Sequence, residues 1–183
     1  ICTPFNDVIA LDPLTGGELW RYEHNLDLTG SYDNQMICRG VSHWAGDQSG
    51  VCSSRVFSAT NDGYLVALDA VTGTPCAEFG SNGRVNLRQG VGGQDYLGEY
   101  QQTSPPAIVG NHVVIGAAIG DNRRIDAPSG VVRAFDARSG EQVWAFDLAP
   151  PGFDYDTDLV SDEGHALGTP NVWGVMTVDA ERG

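Results

Sequence analysis

Three stretches of the chain repeat one pattern of apolar and polar positions. Each begins with alternating apolar residues and continues through Asp, two variable residues, Thr or Ser, and Gly. The stretches are VIALDPLTGGELW at 8–20, LVALDAVTGTPCA at 65–77 and VRAFDARSGEQVW at 132–144. A fourth copy, VDAERG, begins at 178–183. Self-similarity of this kind predicts one structural unit that the fold uses several times.

The pattern has a direct structural interpretation. Alternating apolar residues predict a strand. The Asp-x-x-Thr/Ser-Gly segment predicts a tight turn, in which the Asp side chain caps backbone N–H groups and Gly adopts a positive φ. A return strand follows, with Trp20 and Trp144 each eight positions after the Asp of their copy. The second copy departs from this rule, because Ala77 stands where Trp is expected.

Repeated hairpins of this type favour a β-propeller built from four-stranded blades, with inserted loops where the interval exceeds about 45 residues. Two further hairpins fit this architecture: residues 55–68, which turn at Asn61-Asp-Gly63, and residues 107–115, which turn at Gly110-Asn111. A β-sandwich also contains many short strands and is the alternative. The fixed spacing from Asp to Trp favours the propeller.

Composition and charge narrow the range of functions. The chain has 183 residues, of which 41% are hydrophobic, so it can form a packed core as one domain or part of a larger one. Its net charge is −14, with no Lys and only scattered Arg, which argues against nucleic-acid binding and docking on anionic membranes. No apolar run approaches the ~20 residues that span a bilayer. The opening Ile-Cys-Thr-Pro-Phe resembles neither an initiator segment nor a signal peptide, so we expect a truncated chain.

Four cysteines are present, with spacings that match no compact zinc motif. Cys38 and Cys52 flank a loop rich in Gly, Ser and Asp. Two interpretations remain open: a disulfide between these two residues, or two buried free thiols. A disulfide would imply an oxidising compartment.

Several ordered motifs add a family resemblance that covers nearly the whole chain. They are Cys38-Arg-Gly-Val-Ser42, Gln102-Thr-Ser-Pro-Pro106, Gly120-Asp-Asn122 and Ser129-Gly-Val-Val-Arg-Ala-Phe-Asp136. Together with the Trp repeat, they resemble the pyrroloquinoline quinone (PQQ)-dependent dehydrogenases, in particular the membrane-bound glucose/polyol dehydrogenase branch.

The resemblance implies an all-β fold that is part of an eight-bladed propeller. Residues 1–183 would form a partial quinoprotein propeller domain of about three blades and part of a fourth, truncated at both ends. It also implies a periplasmic location, and it leaves open a membrane anchor in the full-length protein.

The resemblance assigns the family's cofactor-binding roles to particular residues of this sequence. PQQ is a planar ortho-quinone with three carboxylates, so its site needs cations, a divalent metal and flat apolar walls. The resemblance places Arg39 on the cofactor, where a guanidinium suits a carboxylate or quinone oxygen. It places Thr103 and Asn122 on the cofactor as well. Asp121 and Asn171 match the family's calcium ligands, a carboxylate and an amide.

The resemblance identifies fewer catalytic residues than cofactor-binding residues. His43 is a candidate substrate-side residue, although the glucose-oxidising branch has its histidine one position later than this sequence does. The family's general base would lie downstream of Gly183, so we expect the fragment alone to be inactive.

The resemblance therefore predicts PQQ-dependent oxidation of an alcohol, polyol or sugar, with electrons passing to ubiquinone or a cytochrome. The alternative is a non-catalytic Trp-repeat propeller that acts as a protein-binding scaffold in the periplasm. Convergence of Arg39, Thr103, Asp121 and Asn171 at one end of the fold would favour the enzyme, and scattering over different faces would favour the scaffold.

Overall fold

A computed structural model describes residues 1–46, 49–120, 123–168 and 170–182. Regular structure in these ranges consists of strands, which confirms the all-β prediction. The described residues contain no helix long and apolar enough to cross a bilayer.

The strands form two four-stranded antiparallel sheets and two shorter pairs. The first pair joins β1 (Val8–Leu11) and β2 (Glu18–Tyr22). The first four-stranded sheet has the order β3 (Ser42–Ala45), β4 (Ser54–Ala59), β5 (Tyr64–Asp69), β6 (Arg84–Asn86). The second has the order β8 (Ala107–Val109), β9 (His112–Ile115), β11 (Val132–Asp136), β12 (Gln142–Phe146). The remaining pair joins β7 (Tyr100–Gln101) and β10 (Ala118–Ile119).

The three predicted turn units are confirmed. In the first, the Asp12 carboxylate accepts hydrogen bonds from the backbone N–H groups of Leu14 and Thr15, both at 2.8 Å. Asp69 and Asp136 accept the equivalent pairs of bonds in the other two copies. The glycine four positions after each Asp has a φ of +72°, +74° and +76° in turn. The same local chemistry therefore joins β1 to β2, β5 to the segment before β6, and β11 to β12.

The sheets are stacked face to face, as propeller blades are. One apolar cluster fills the space between the β1–β2 pair and the first four-stranded sheet, with Val8, Val66 and Leu68 at its centre. A larger cluster, which includes Phe57 and Phe135, fills the space between the two four-stranded sheets. The first strands of these sheets, β3 and β8, contact each other. Short strands joined by the same turn therefore form small sheets that stack face to face.

Trp20 fixes the first of these interfaces. Its indole Nε1 donates a hydrogen bond to the carbonyl of Ala70, in the turn of the second copy, at 3.2 Å. Its ring also lies against Gly73 so closely that a Cβ at that position would overlap the indole. The Trp of one unit therefore docks on the Gly turn of the next.

The second interface uses different residues for the same purpose, which explains the Ala77 departure. Phe79, two positions after Ala77 and fully buried, lies beside Gly140 in the turn of the third copy, together with the Gly80 backbone and the Val85 side chain, which approach Gly140 more closely. Arg55 supplies the polar contact, because its guanidinium donates to the carbonyls of Ala137 and Arg138 at 2.9 and 2.7 Å. The pair of Phe79 and Arg55 therefore replaces the single Trp.

The fourth copy of the repeat lies against the third. Val172, Met176 and Val178 pack on the outer face of the second four-stranded sheet. Val178 also borders, with Trp144, a groove of about 420 Å³. Residues 172–178 therefore cover this face of the sheet, although the described residues there form no strand.

The pairing of the cysteines corrects the sequence-based interpretation. Cys38 and Cys52 neither form a disulfide with each other nor remain free, because Cys2 pairs with Cys38 and Cys52 pairs with Cys76. The Asp69 carboxylate accepts a hydrogen bond from the backbone N–H of Cys52 at 2.6 Å, which holds Cys52 at the turn that leads to Cys76. Proximity along the chain was the wrong guide, because tertiary packing sets which cysteines meet.

We predict that Gly73→Ala destabilises the protein more than Gly110→Ala does. Both glycines have positive φ, +74° and +56°, so each alanine incurs a left-handed backbone cost of about 1–2 kcal/mol. A Cβ at Gly110 meets no atom within 4 Å, whereas one at Gly73 overlaps Trp20. Chemical unfolding should show a further loss of about 1–3 kcal/mol for Gly73→Ala. Equal losses would contradict the docking described above.

We also predict that the Asp69 carboxylate makes stability pH-dependent. Burial raises its pKa, but the N–H groups of Cys52, Thr72 and Val71 outweigh burial and hold the pKa below its ordinary value. A depressed folded-state pKa adds stability above the unfolded pKa of about 3.9, and this stability is lost as the pH falls through the folded pKa. Urea unfolding from about pH 7 to pH 3 should therefore show that the deficit of Asp69→Asn shrinks on acidification. The exposed control Asp162→Asn should show no such trend, and a constant deficit for Asp69→Asn would contradict the prediction.

Candidate functional site

A cleft of about 370 Å³ brings together three of the residues that the sequence singled out. Arg39, Thr103 and Asn171 all line it, although they are far apart in the chain. The complete lining is Asn34, Gln35, Ile37, Arg39, Thr103, Ala118, Ile119, Asn171 and Trp173.

Two residues of the cleft occupy equivalent places in successive units. Arg39 lies just before β3, the first strand of one four-stranded sheet, and Thr103 lies just before β8, the first strand of the next. Trp173 lies shortly before the fourth copy of the repeat. Since β3 and β8 contact each other, the segments that lead into them meet at one end of the stack. The repeat itself therefore creates the cleft.

Arg39 is held from two sides. Its backbone N–H and its guanidinium Nη1 both donate to the Thr103 carbonyl, at 3.3 and 3.0 Å. Its guanidinium carbon lies 5.4 Å from the centre of the Trp173 ring, within the range of a cation–π contact. A guanidinium has five N–H donors, so the single side-chain bond leaves most of them available to a ligand. Arg39 also carries the sole charge among the described residues that line the cleft.

Trp173 is a site residue that sequence reasoning missed. Its carbonyl accepts hydrogen bonds from the hydroxyls of Ser104 and Thr103, at 2.7 and 3.4 Å, so its backbone is fixed to the segment before β8. The side chain is 56% exposed and offers a flat apolar face to the cleft. The available signal was a tryptophan outside the repeat pattern, two positions after Asn171.

The predicted metal and cofactor pair Asp121 and Asn122 lies outside the described residues. Ala118 and Ile119, which precede the pair, line the cleft. The backbone N–H of Gly120 donates to the Glu99 carbonyl at 2.8 Å. The described residues just before the pair therefore belong to the wall of the cleft.

The residues after the pair are anchored by two acidic side chains. Arg123 pairs with Asp33 at 2.5 Å, and Arg124 pairs with Glu99, a carboxylate that is only 1% exposed, at 2.8 Å. Asp33 also accepts a hydrogen bond from the Tyr96 hydroxyl. Burial, together with this bond, raises the pKa of Tyr96 to about 12. These contacts fix the described backbone that follows the predicted ligands.

Asn171 packs closely on the residues that precede β11. A Cβ at Gly130 would lie 2.5 Å from the Asn171 Cβ, so this approach requires glycine. Asn171 remains a predicted metal ligand, placed on the same cleft as Arg39 and Thr103.

His43 does not line this cleft. It lies on β3, where its side chain is exposed and its Nε2 is 2.7 Å from the Ser54 hydroxyl. The alternation of the strand turns the neighbouring Trp44 into the core instead. The structure therefore gives no support to His43 as a substrate-side residue of the cleft.

One further cluster has the composition of a metal site. Ligand atoms of Cys52, Cys76 and Glu78 lie within 4.8 Å of one another. The two cysteines form a disulfide, so their sulfur atoms are not available as thiolate ligands.

Comparison with known proteins places the chain among quinoproteins. The family model for the PQQ-dependent glucose/ethanol/alcohol dehydrogenase β-propeller domain matches residues 1–183. The chain is 38% identical over 186 residues to the glycerol dehydrogenase large subunit of Gluconobacter thailandicus, an alignment that covers 100% of this chain and 24% of that protein. It is 35% identical over 197 residues to quinoprotein glucose dehydrogenase A of Acinetobacter calcoaceticus, covering 99% and 24%.

A solved structure supports the fold. The quinohemoprotein alcohol dehydrogenase from Comamonas testosteroni matches with a TM-score of 0.62 at 24% identity, covering 85% of this chain and 21% of that one. The chain thus spans about a quarter of the length of the curated relatives that it matches.

Proposed function

Because this chain belongs to the PQQ-dependent glucose/ethanol/alcohol dehydrogenase β-propeller family, we propose that its cleft is part of the PQQ site of a dehydrogenase that oxidises an alcohol, polyol or sugar. The observation that carries the proposal is the convergence of Arg39, Thr103 and Trp173 on one cleft. These residues come from three successive units of the repeat, so their meeting depends on the fold rather than on sequence proximity.

The chemistry of the cleft fits the cofactor. A planar anion with three carboxylates requires a cation, hydrogen-bond donors and a flat apolar face. Arg39 supplies the cation, the Asn34 amide supplies a donor, and Trp173 supplies the face. The Thr103 hydroxyl donates to the Trp173 carbonyl at 3.4 Å, and it would exchange this bond for one to the cofactor. The Asn34 Nδ2 is buried with no hydrogen-bond partner among the described residues, which suits a donor that awaits a ligand oxygen.

Bound PQQ would supply the ortho-quinone that accepts two electrons from the CH–OH group of the substrate, with a calcium ion as Lewis acid. The roles of this segment are to bind and to orient. Arg39 neutralises cofactor charge, and its bonds to Thr103 fix the guanidinium before the ligand arrives. Asp121 and Asn171 would hold the calcium ion and Asn122 would contact the cofactor. None of these roles is that of the general base, which other residues would have to supply.

Substrate, electron acceptor and location are parts of the same proposal. Relatives named as glycerol and glucose dehydrogenases favour a polyol or sugar as substrate. Ubiquinone or a cytochrome would accept the electrons. Two disulfides in 183 residues support the periplasm, because disulfides persist in oxidising compartments.

The proposal is tested by titrating the full-length apoprotein with PQQ in the presence of Ca²⁺. Quenching of tryptophan fluorescence should saturate at one PQQ per chain. The loaded protein should then reduce an artificial electron-acceptor dye when glycerol or glucose is added. A protein that binds no PQQ and reduces no dye with any alcohol or sugar would instead be a non-catalytic scaffold.

We predict that Arg39→Ala weakens PQQ binding by about 10- to 100-fold, because a charge-assisted hydrogen bond contributes about 1.5–3 kcal/mol. The measurement is the PQQ dissociation constant from the fluorescence titration, at fixed ionic strength. Arg21→Ala is the matched control, since Arg21 pairs with Glu18 on the exposed β2 strand away from the cleft. Unchanged affinity in Arg39→Ala, or an equal loss in the control, would contradict the assignment.

A further inference from the structure

The two disulfides lie in different environments. Cys52 and Cys76 are 5% and 0% exposed and belong to the core between the two four-stranded sheets. Cys2 and Cys38 are only partly buried, and Cys38 immediately precedes Arg39 in the wall of the cleft. A soluble dithiol can therefore reach the Cys2–Cys38 disulfide far more readily than the buried Cys52–Cys76 disulfide.

The segment that contains Cys38 has no regular secondary structure to hold it in place. Residues 34–39, named here the cleft segment, form no strand and supply Asn34, Gln35, Ile37 and Arg39 to the lining. At one end, the backbone N–H of Asn34 donates to Gln101 Oε1 at 2.7 Å. At the other end, Arg39 bonds to the Thr103 carbonyl. Apart from the backbone itself, the Cys2–Cys38 disulfide is what joins the cleft segment covalently to the rest of the fold.

The other half of the tie is rigid. Cys2 forms a β-bridge with Val8, whose side chain is 1% exposed in the core beneath the first four-stranded sheet. The N-terminal amine of Ile1 donates to the Ile9 carbonyl at 2.9 Å. Cys2 is thereby fixed to β1, and the disulfide transfers that fixed position to Cys38 and to its neighbour Arg39.

We propose that the Cys2–Cys38 disulfide is a reducible positioning device that holds Arg39 ready for the anionic cofactor. In the reduction, a thiolate of an external dithiol attacks one sulfur, and its second thiol resolves the mixed disulfide. The dithiol is oxidised to its own disulfide, and Cys2 and Cys38 become two thiols. The inference rests on the proposed function, because it assigns the cleft to PQQ.

The direction of the effect follows from conformational entropy. Without the tie, the cleft segment samples conformations in which Arg39 no longer lies over Trp173. Binding must then order the segment again, which lowers the apparent affinity by the fraction of molecules in the competent conformation. The sheets keep their packing, because neither Cys2 nor Cys38 belongs to the core clusters.

The experiment compares two double variants of the full-length protein. Cys2→Ser/Cys38→Ser removes the tie, and Cys52→Ser/Cys76→Ser is the matched control that removes the buried bond. We expect the first variant to bind PQQ about 5- to 50-fold more weakly than the wild type, with little change in melting temperature. The control should melt at a lower temperature, while its folded fraction binds PQQ with wild-type affinity.

A second measurement does not depend on PQQ. Hydrogen exchange of the apoprotein should become faster in peptides covering residues 34–39 after mild dithiol treatment, while exchange in β5 stays slow. Mass spectrometry after alkylation should show that Cys2 and Cys38 are modified first. Unchanged exchange in the cleft segment, or unchanged PQQ affinity in Cys2→Ser/Cys38→Ser, would overturn the inference. Absence of PQQ binding to the oxidised wild type would instead refute the proposed function, and hydrogen exchange would still decide whether the disulfide orders the segment.

Discussion

The contact of an aromatic ring with a glycine turn is the interaction on which the rest of this structure depends. A small sheet with two apolar faces is stable only when neighbours cover both faces. Trp20 on Gly73 and Phe79 on Gly140 set how each sheet lies on the next. Glycine is required at these turns for two reasons. The backbone has a positive φ, and the space of a side chain is filled by Trp20 at Gly73 and by Gly80, Val85 and Phe79 at Gly140.

The same constraint creates the functional end of the molecule. When successive sheets stack in one register, the segments leading into their first strands meet. Arg39 and Thr103 occupy such segments and Trp173 lies beside them, so a cleft arises from residues separated by long stretches of chain. The ion pairs of Asp33 and Glu99 with Arg123 and Arg124 then fix the backbone beside it. The stacking of the repeated units therefore also forms the candidate site.

Much of this could be predicted from the sequence because it is encoded locally. The turn units follow from Asp and Gly at fixed spacing, and the hairpins follow from alternation around the Asp-Gly and Gly-Asn turns. The motifs around Arg39, Thr103 and Asn171 also indicated three residues that share the cleft. What local patterns could not reveal were contacts between units. The pairing of Cys2 with Cys38 and the substitution of Phe79 and Arg55 for a tryptophan depend on tertiary packing.

Two single residues illustrate the same limit. No repeat or motif in the sequence marks Trp173 as a residue that lines a site. Its position in the cleft is fixed by the hydrogen bonds that its carbonyl accepts from Ser104 and Thr103. His43 lies only one residue from the expected position, yet one residue along a strand reverses the face to which a side chain points. The neighbouring position does not reach the cleft either, because Trp44 points into the core between the sheets.

A crystal structure of the full-length protein grown with PQQ and Ca²⁺ would show directly whether this cleft is the PQQ site. We expect electron density for the cofactor in the cleft, with a carboxylate or quinone oxygen within hydrogen-bond distance of the Arg39 guanidinium and the ring plane against Trp173. Cofactor density at another place in the propeller, with Arg39 and Trp173 making no contact with it, would contradict the proposed site.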